Sequence, residues 1–312
     1  MKKKIIIIAG ATATGKTNLS IELAKIHQGC IVNFDSLLFY HELQIGTARP
    51  TKEEMSGVEH FLVGTDSISS PLNAKQFAER AMKIIEERPD NQPIFLVGGS
   101  GFYLQALLYG MYEDLSTPQN LKEKSDNLYR ENGIEPFREI LKIHDHENYL
   151  RLHANDHYRI RRAVEYFWTT NKPFSEAKKS HDGSQEKQKE IIHSNWDCLL
   201  LYLDIPKEEH YEIIKKRTKI MFDLGLVEEV KNLLAQGFLG KEKPLESIGY
   251  KEVQAFLRGE LSLEACKELI FISTRQLAKS QRTWFKGQNM HPIHPLKERA
   301  IILKNVQQFL KE

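Results

Sequence analysis

Apolar residues fall along this chain in two alternating rhythms. Short unbroken runs rich in Ile, Val, Leu and Phe occur at residues 5–8, in GCIVNFD (29–35), in QPIFLVGG (92–99) and in DCLLLYLDIP (197–206). Each is followed by apolar residues at helical spacing, as in Leu19, Ile21, Leu23, Ala24 and Ile26 among polar neighbours. A continuous β-branched run suits a strand buried on both faces, so the alternation predicts an α/β core with a mostly parallel sheet. Between residues 112 and 189 the rhythm becomes purely helical, polar and charge-rich, as in LKEKSDNLYRENG and EPFREILKIH. This predicts a helical insertion over 113–189, dividing the core into 1–112 and 190–312. From 207 to 288 the pattern is again helical, broken by turn signals at Gln236-Gly237, Gly240 and Arg258-Gly259.

A length of 312 residues with 41% hydrophobic content supports about two domains and a packed core. The net charge of +2 is too small for bulk attraction to a polyanion, so any such partner must be met by local patches. Cys30, Cys198 and Cys266 form no C-x-x-C and are odd in number, which excludes a disulfide framework or a cysteine-based zinc finger. A reducing cytoplasm is the expected compartment. Lys2 to Lys4 and four isoleucines superficially resemble a signal peptide, but the apolar run is too short. No stretch has the length of a membrane span.

The first run leads into Gly10, Ala11, Thr12, Ala13, Thr14, Gly15, Lys16 and Thr17, which spell G-x-x-x-x-G-K-T between a strand and a helix. In that context backbone N–H groups wrap a phosphate, Lys16 reaches its terminal oxygens, and the Thr17 hydroxyl can ligate Mg²⁺. The expected fold is therefore α/β with a P-loop NTPase-like core. Asp35, about 20 residues past the loop at the end of the second strand, should sit at the carboxyl edge of the sheet, where it either faces a ligand or simply caps a turn. Asp204 precedes Pro206, Glu208 and Glu209 and reads as a helix cap rather than a metal ligand. Arg275, Lys279, Arg282 and Lys286 are spaced four, three and four apart and form a cationic rail on one helical face; either RNA backbone or solvent could face it. Trp284 nearby reads as packing. In NDHYRIRRAVEYF, Asp156 caps a helix whose first turns hold Arg159, Arg161 and Arg162 against its dipole, with Glu165 offsetting only part of that charge. His153 and His157 straddle that cap and make a poor metal pair.

These stretches resemble a family. GATATGKT, DSLLFY followed by IGTARP, LVGGSGFYLQAL, NDHYRIRRAVE, GLVEEV, SIGYKE and TRQLAKSQRTWF occur in the order characteristic of tRNA dimethylallyltransferases, across nearly the whole chain. The resemblance implies transfer of a dimethylallyl group from its diphosphate to the exocyclic N6 amine of the adenosine 3′ to the anticodon in tRNAs reading codons that begin with U. It implies that residues 10–17 and Arg217 bind the diphosphate with Mg²⁺, and that Asp35 and Ser100 are catalytic, Asp35 as the base and Ser100 with its hydroxyl at the position where Thr is usual. It implies tRNA contact by Asp35, Ser36, Leu37, Leu38, Ser100, Tyr158, Arg159, Ile160, Arg161, Arg162, Arg275, Lys279 and Arg282. Ala11, Glu59, Tyr158 and Ser280 depart from the usual Pro, His, Gln and Arg. A bacterial-type, monomeric enzyme with no obligatory protein partner is the expectation. A small nucleoside or nucleotide kinase, a free-adenylate isopentenyltransferase and a non-catalytic RNA-binding P-loop protein are the alternatives.

Overall fold

A computed structural model of the chain describes residues 2–110, 117–177, 192–288 and 290–312. The four apolar runs are strands β1 (Lys3–Gly10), β2 (Cys30–Asn33), β4 (Ile94–Gly98) and β5 (Trp196–Leu203). Two edge strands of two residues each, β3 (His60–Phe61) and β6 (Pro292–Ile293), complete a six-stranded sheet of order β3-β2-β4-β1-β5-β6. Two residues are too few to show any periodicity, which is why the pattern of apolar positions does not reveal these edges. Every pairing is parallel. In register, Ala9 faces Gly98 and Gly10 faces Leu203, so the phosphate-loop segment leaves the sheet between the carboxyl ends of β4 and β5.

Helix α1 (Lys16–Ile26) follows β1 through Gly15, whose φ of 84° is a left-handed conformation that glycine adopts without steric cost. Gly10 also has a specific reason: a Cβ there would come within 2.6 Å of the Leu203 carbonyl. Helix α2 (Ala74–Glu87) begins with a reciprocal Asn73–Gln76 capping box, and α3 (Gly101–Tyr109) follows β4 directly. After β5 come α8 (Lys207–Asp223), α9 (Leu226–Ala235), a 3₁₀ turn (Lys243–Glu246), α10 (Tyr250–Leu257), α11 (Leu263–Lys286) and, past β6, α12 (Arg299–Lys311). The breaks at 236–237, 240 and 258–259 fall where turn residues predict them, with positive φ at each glycine. Ile6, Ile8, Phe95 and Leu201 of the sheet pack with Leu19 and Leu23 of α1 and Ile302 and Val306 of α12. No cysteine is paired, and no helix among the described residues is long and apolar enough to cross a membrane.

The chain forms two compact units, one of residues 1–108 with 193–312 and one of residues 109–192. The expected insertion limits at 112–113 and 189–190 lie outside the described residues. The second unit contains α4 (Gln119–Asn132), α5 (Glu135–His144), α6 (His146–Arg151) and α7 (His157–Thr170) around Phe137, Leu141, Ala163, Val164 and Tyr166. Asp156 caps α7 through the Arg159 N–H. Ile160 corrects an expectation: placed among the RNA-contacting residues, its side chain is 2% exposed and belongs to this core. Arg161 and Arg162 are likewise more engaged than the local sequence indicates. Arg161 donates to Ser125 Oγ and Asp126 and lies over the Tyr129 ring, while Arg162 reaches Thr117 and lies 3.7 Å from Glu165. Partners 35 to 45 residues away are invisible to helix-spacing rules. Tyr158 and Arg159, in contrast, are exposed, and Arg159 pairs with its cap Asp156 at 2.7 Å. The His157 ring takes a hydrogen bond with Tyr129 Oη, and His153 accepts from the Asn155 N–H. Ile160→Ala should therefore cost the helical unit about 2–5 kcal/mol, and Tyr158→Ala less than about 0.5 kcal/mol. Hydrogen–deuterium exchange across α4–α7 checks this, and equal protection in the two variants would contradict it.

Candidate functional site

The parallel register gathers the loops after β1, β2, β4 and β5 on one edge, where ligands of open α/β sheets bind. In the loop after β1, the Lys16 ammonium and the Thr14 hydroxyl both donate to the Ala11 carbonyl, at 2.7 and 2.9 Å. Thr12 is held from three directions. Its N–H donates to Gln281 Oε1, its hydroxyl accepts from Arg217 Nη1 at 3.2 Å, and its carbonyl accepts from His210 Nε2 at 2.8 Å. Gln281 in turn donates to the Gly99 carbonyl, tying α11 to the loops after β1 and β4. Arg217, from α8, also donates to the Thr47 carbonyl at 3.1 Å.

Asp35 lies two residues beyond β2. Its backbone is fixed by buried Asn33, whose side chain accepts from the Asp35 N–H and donates to the Asp35 and Leu62 carbonyls. Its carboxylate receives the Leu37 N–H at 3.3 Å, a long and weak bond that leaves most of its acceptor capacity for something else. Ser100 Oγ accepts the Ser36 N–H at 3.1 Å, which joins the loops after β2 and β4.

The electrostatics are those of a site made for an anion. Burial pushes the Lys16 ammonium down to about 8, opposed by the Asp35 carboxylate and reinforced by Arg217. Burial also lowers Arg217, and Asp35 again offsets it. A buried ammonium and a half-buried guanidinium thus face one carboxylate, so the site carries an uncompensated positive charge that a phosphate group would neutralise.

Two cavities meet here. The first, of about 340 Å³, is lined by Lys16, Thr17, Leu38, Val63 and Glu54 among others; the second, of about 460 Å³, by Ser36, Leu37, Tyr103, Ser100 and Gln281. Thr12, Asp35, Thr47 and Arg217 line both. Gly10, Ala11 and Thr14 are outside this lining; the last two are fully buried and give the loop its shape.

The predicted cationic rail does occupy one face of α11, but its members differ. Lys279 and Lys286 are exposed. Arg275 lies over the Tyr211 ring, 3.9 Å from its centroid. Arg282 is taken by Asp204, with Nε 2.6 Å from Oδ1 and both side chains about one-sixth exposed or less. This also corrects the expectation for Asp204: α8 starts after Pro206 without a side-chain cap, and Asp204 is an ion-pair partner instead. Trp284 packs edge-on to Phe285 and over Gly101. Asn33, Thr47, His210 and Gln281 are the site residues that motif reading misses. Gln281 lies within TRQLAKSQRTWF, where charge spacing draws the eye to its basic neighbours; His210 has no local signal at all.

A model of the family described as IPP transferase matches residues 38–288. A tRNA dimethylallyltransferase 2 of Geotalea daltonii is 36% identical over 290 residues, covering 92% of this chain and 86% of that protein. The crystal structure of a tRNA delta(2)-isopentenylpyrophosphate transferase from Staphylococcus epidermidis is 33% identical, with a TM-score of 0.70 and 99% of both chains covered. A eukaryotic dimethylallyltransferase captured acting on tRNA is 27% identical with a TM-score of 0.73, covering 90% of this chain and 69% of that one.

The depressed Lys16 has a direct consequence. Below about pH 8 the amine is already charged; above it, an arriving anion must draw in a proton, so pyrophosphate affinity should fall by about tenfold per pH unit. Calorimetric titration from about pH 7 to about pH 9.5, referenced to Lys16→Met to cancel the ligand's own titration, checks this. A wild-type affinity that tracks the variant across that range would contradict it.

Proposed function

The chain belongs to the IPP transferase family, and from that premise we propose that it transfers the dimethylallyl group of dimethylallyl diphosphate to tRNA. The acceptor is the exocyclic N6 amine of the adenosine 3′ to the anticodon, in tRNAs reading codons that begin with U, and diphosphate is released. The observation that carries this reading is the wall of Thr12, Asp35, Thr47 and Arg217 common to two cavities. A diphosphate held at Lys16 in one cavity and a nucleobase entering the other would meet at a carboxylate.

An adenine amine is a poor nucleophile because its lone pair is delocalised into the ring. As its nitrogen bonds to C1 of the dimethylallyl group, the C1–O bond breaks and its electron pair leaves on the diphosphate. The amine proton passes to the Asp35 carboxylate, whose long hydrogen bond from the Leu37 N–H leaves it able to accept. Residues 10–17, with Lys16 and Arg217, hold the departing anion through backbone amides and buried positive charge. Ser36 and Ser100 line the second cavity beside Asp35 and orient the base. Thr17 offers a hydroxyl in the first cavity, and no cluster of three or more metal-ligating side chains occurs among the described residues. That donor set fits a Mg²⁺ held mainly by diphosphate oxygens and water, which when bound supplies further charge neutralisation. Exposed Tyr158, Arg159, Lys279 and Lys286 are the side chains best placed to meet RNA backbone; Arg161, Arg162, Arg275 and Arg282 share their charge with internal partners. The proposed compartment is the cytoplasm, where the free thiols stay reduced.

Asp35→Asn keeps shape and an acceptor oxygen but removes basicity. Single-turnover transfer should slow by about 10²- to 10⁴-fold, with less than about tenfold change in affinity for either substrate. A mutant reacting at the wild-type rate would remove Asp35 as the base. Neutralising Lys279 and Arg159 together should lower the slope of log affinity for tRNA against log salt by about 0.7–0.9 for each phosphate no longer neutralised, leaving pyrophosphate binding unchanged. An unaltered slope would return both side chains to the solvated surface.

A further inference from the structure

Beneath the phosphate loop runs a buried chain of polar groups that the transfer chemistry does not use. Asp204, just past β5, accepts from Arg282 Nε at 2.6 Å. Arg282 Nη2 donates to the Ile205 carbonyl at 2.8 Å and to His210 Nδ1 at 2.5 Å. His210, fully buried on the first turn of α8, closes the chain with Nε2 2.8 Å from the Thr12 carbonyl.

The chemistry of the donors fixes the proton positions. A guanidinium can only donate, so Nδ1 of His210 must be an acceptor and Nε2 must carry the hydrogen that goes to Thr12. Burial favours this neutral form, opposed by the bond to Thr12 and reinforced by Arg282. Arg282 is thereby oriented by Asp204 and Ile205, His210 by Arg282, and the loop by His210. Thr12 is also the residue whose hydroxyl accepts from Arg217, so a shift of its backbone moves the seat of that guanidinium.

We propose that His210, oriented by the Arg282–Asp204 pair, is a positioning residue that holds Thr12 and hence Arg217 at the place where the diphosphate binds. This rests on the reading of residues 10–17 as a diphosphate site. His210 acts through Thr12 and touches no reacting atom, so it governs the diphosphate site, in affinity and in the hold on the departing anion, rather than tRNA binding.

Two variants separate the halves of the imidazole. His210→Gln places an amide donor near the former Nε2 and can still reach the Thr12 carbonyl. His210→Asn places an acceptor near the former Nδ1, keeps Arg282 satisfied and leaves Thr12 without its donor. Pyrophosphate binding by calorimetry and the KM for dimethylallyl diphosphate should worsen about three- to tenfold in His210→Asn, the loss of one hydrogen bond. His210→Gln should stay within about twofold, with the KM for tRNA preserved in both. Equal diphosphate affinity in wild type and a folded His210→Asn overturns the proposal, as does an equal loss in both variants. Should His210→Asn not fold, Arg282→Lys replaces it, since one ammonium cannot span Asp204, Ile205 and His210 together; the same loss of about three- to tenfold is expected, and an unchanged affinity overturns the proposal. Wild type that fails to bind pyrophosphate would instead refute the phosphate-loop reading itself.

Discussion

A buried ammonium and a half-buried guanidinium facing one carboxylate set the terms for the rest of this molecule. Lys16 and Arg217 are taken from water at the carboxyl edge of the sheet, and Asp35 compensates only part of their charge. Buried charge without a partner is costly, so the surrounding loops must be held rigidly enough to keep it in place. The structure meets that demand with side chains drawn from distant sequence. Gln281 ties α11 to two loops, Asn33 fixes the backbone of Asp35, and His210 braces Thr12.

The same logic explains a second set of motif residues, remote from the chemistry. The carboxylate of Glu229 accepts the consecutive backbone N–H groups of Gln44, Ile45 and Gly46 and the Tyr250 hydroxyl. These groups come from in and around IGTARP, GLVEEV and SIGYKE, three segments that have no evident connection in sequence. Their meeting sets the position of Thr47, whose carbonyl holds Arg217. Burial raises the Tyr250 hydroxyl well above its ordinary value, with the nearby Glu229 charge acting the same way, which keeps it a donor. What looks like a string of short motifs is a single lock around one guanidinium.

The strands, the phosphate loop and Asp35 are legible in the sequence because each depends on local pattern: a β-branched run, a glycine spacing, a carboxylate at a strand end. The two-residue edges β3 and β6 carry too little pattern to be read. The basic residues are harder for a different reason. Helical spacing correctly places Arg275, Lys279, Arg282 and Lys286 on one face, yet spacing says nothing of Asp204, which lies 78 residues from Arg282 and claims it. Ile160 sits inside a basic run that suggests RNA contact, although its apolar side chain belongs to the core of the helical unit. Local rules report which face a residue occupies, and long-range partners decide whether its charge remains available.

The chemistry at stake is transfer of carbon to an amine rather than of phosphate to a hydroxyl. Its most direct test supplies the purified protein with dimethylallyl diphosphate labelled in the prenyl carbon, unmodified tRNA, free AMP and ATP labelled in its terminal phosphate, followed by nuclease digestion and mass spectrometry of each nucleoside. The predicted result is carbon label on the adenosine 3′ to the anticodon, one diphosphate released per label incorporated, and no phosphate transfer. Carbon label on free AMP alone, or phosphate transferred from ATP to a small nucleoside or nucleotide, would contradict it.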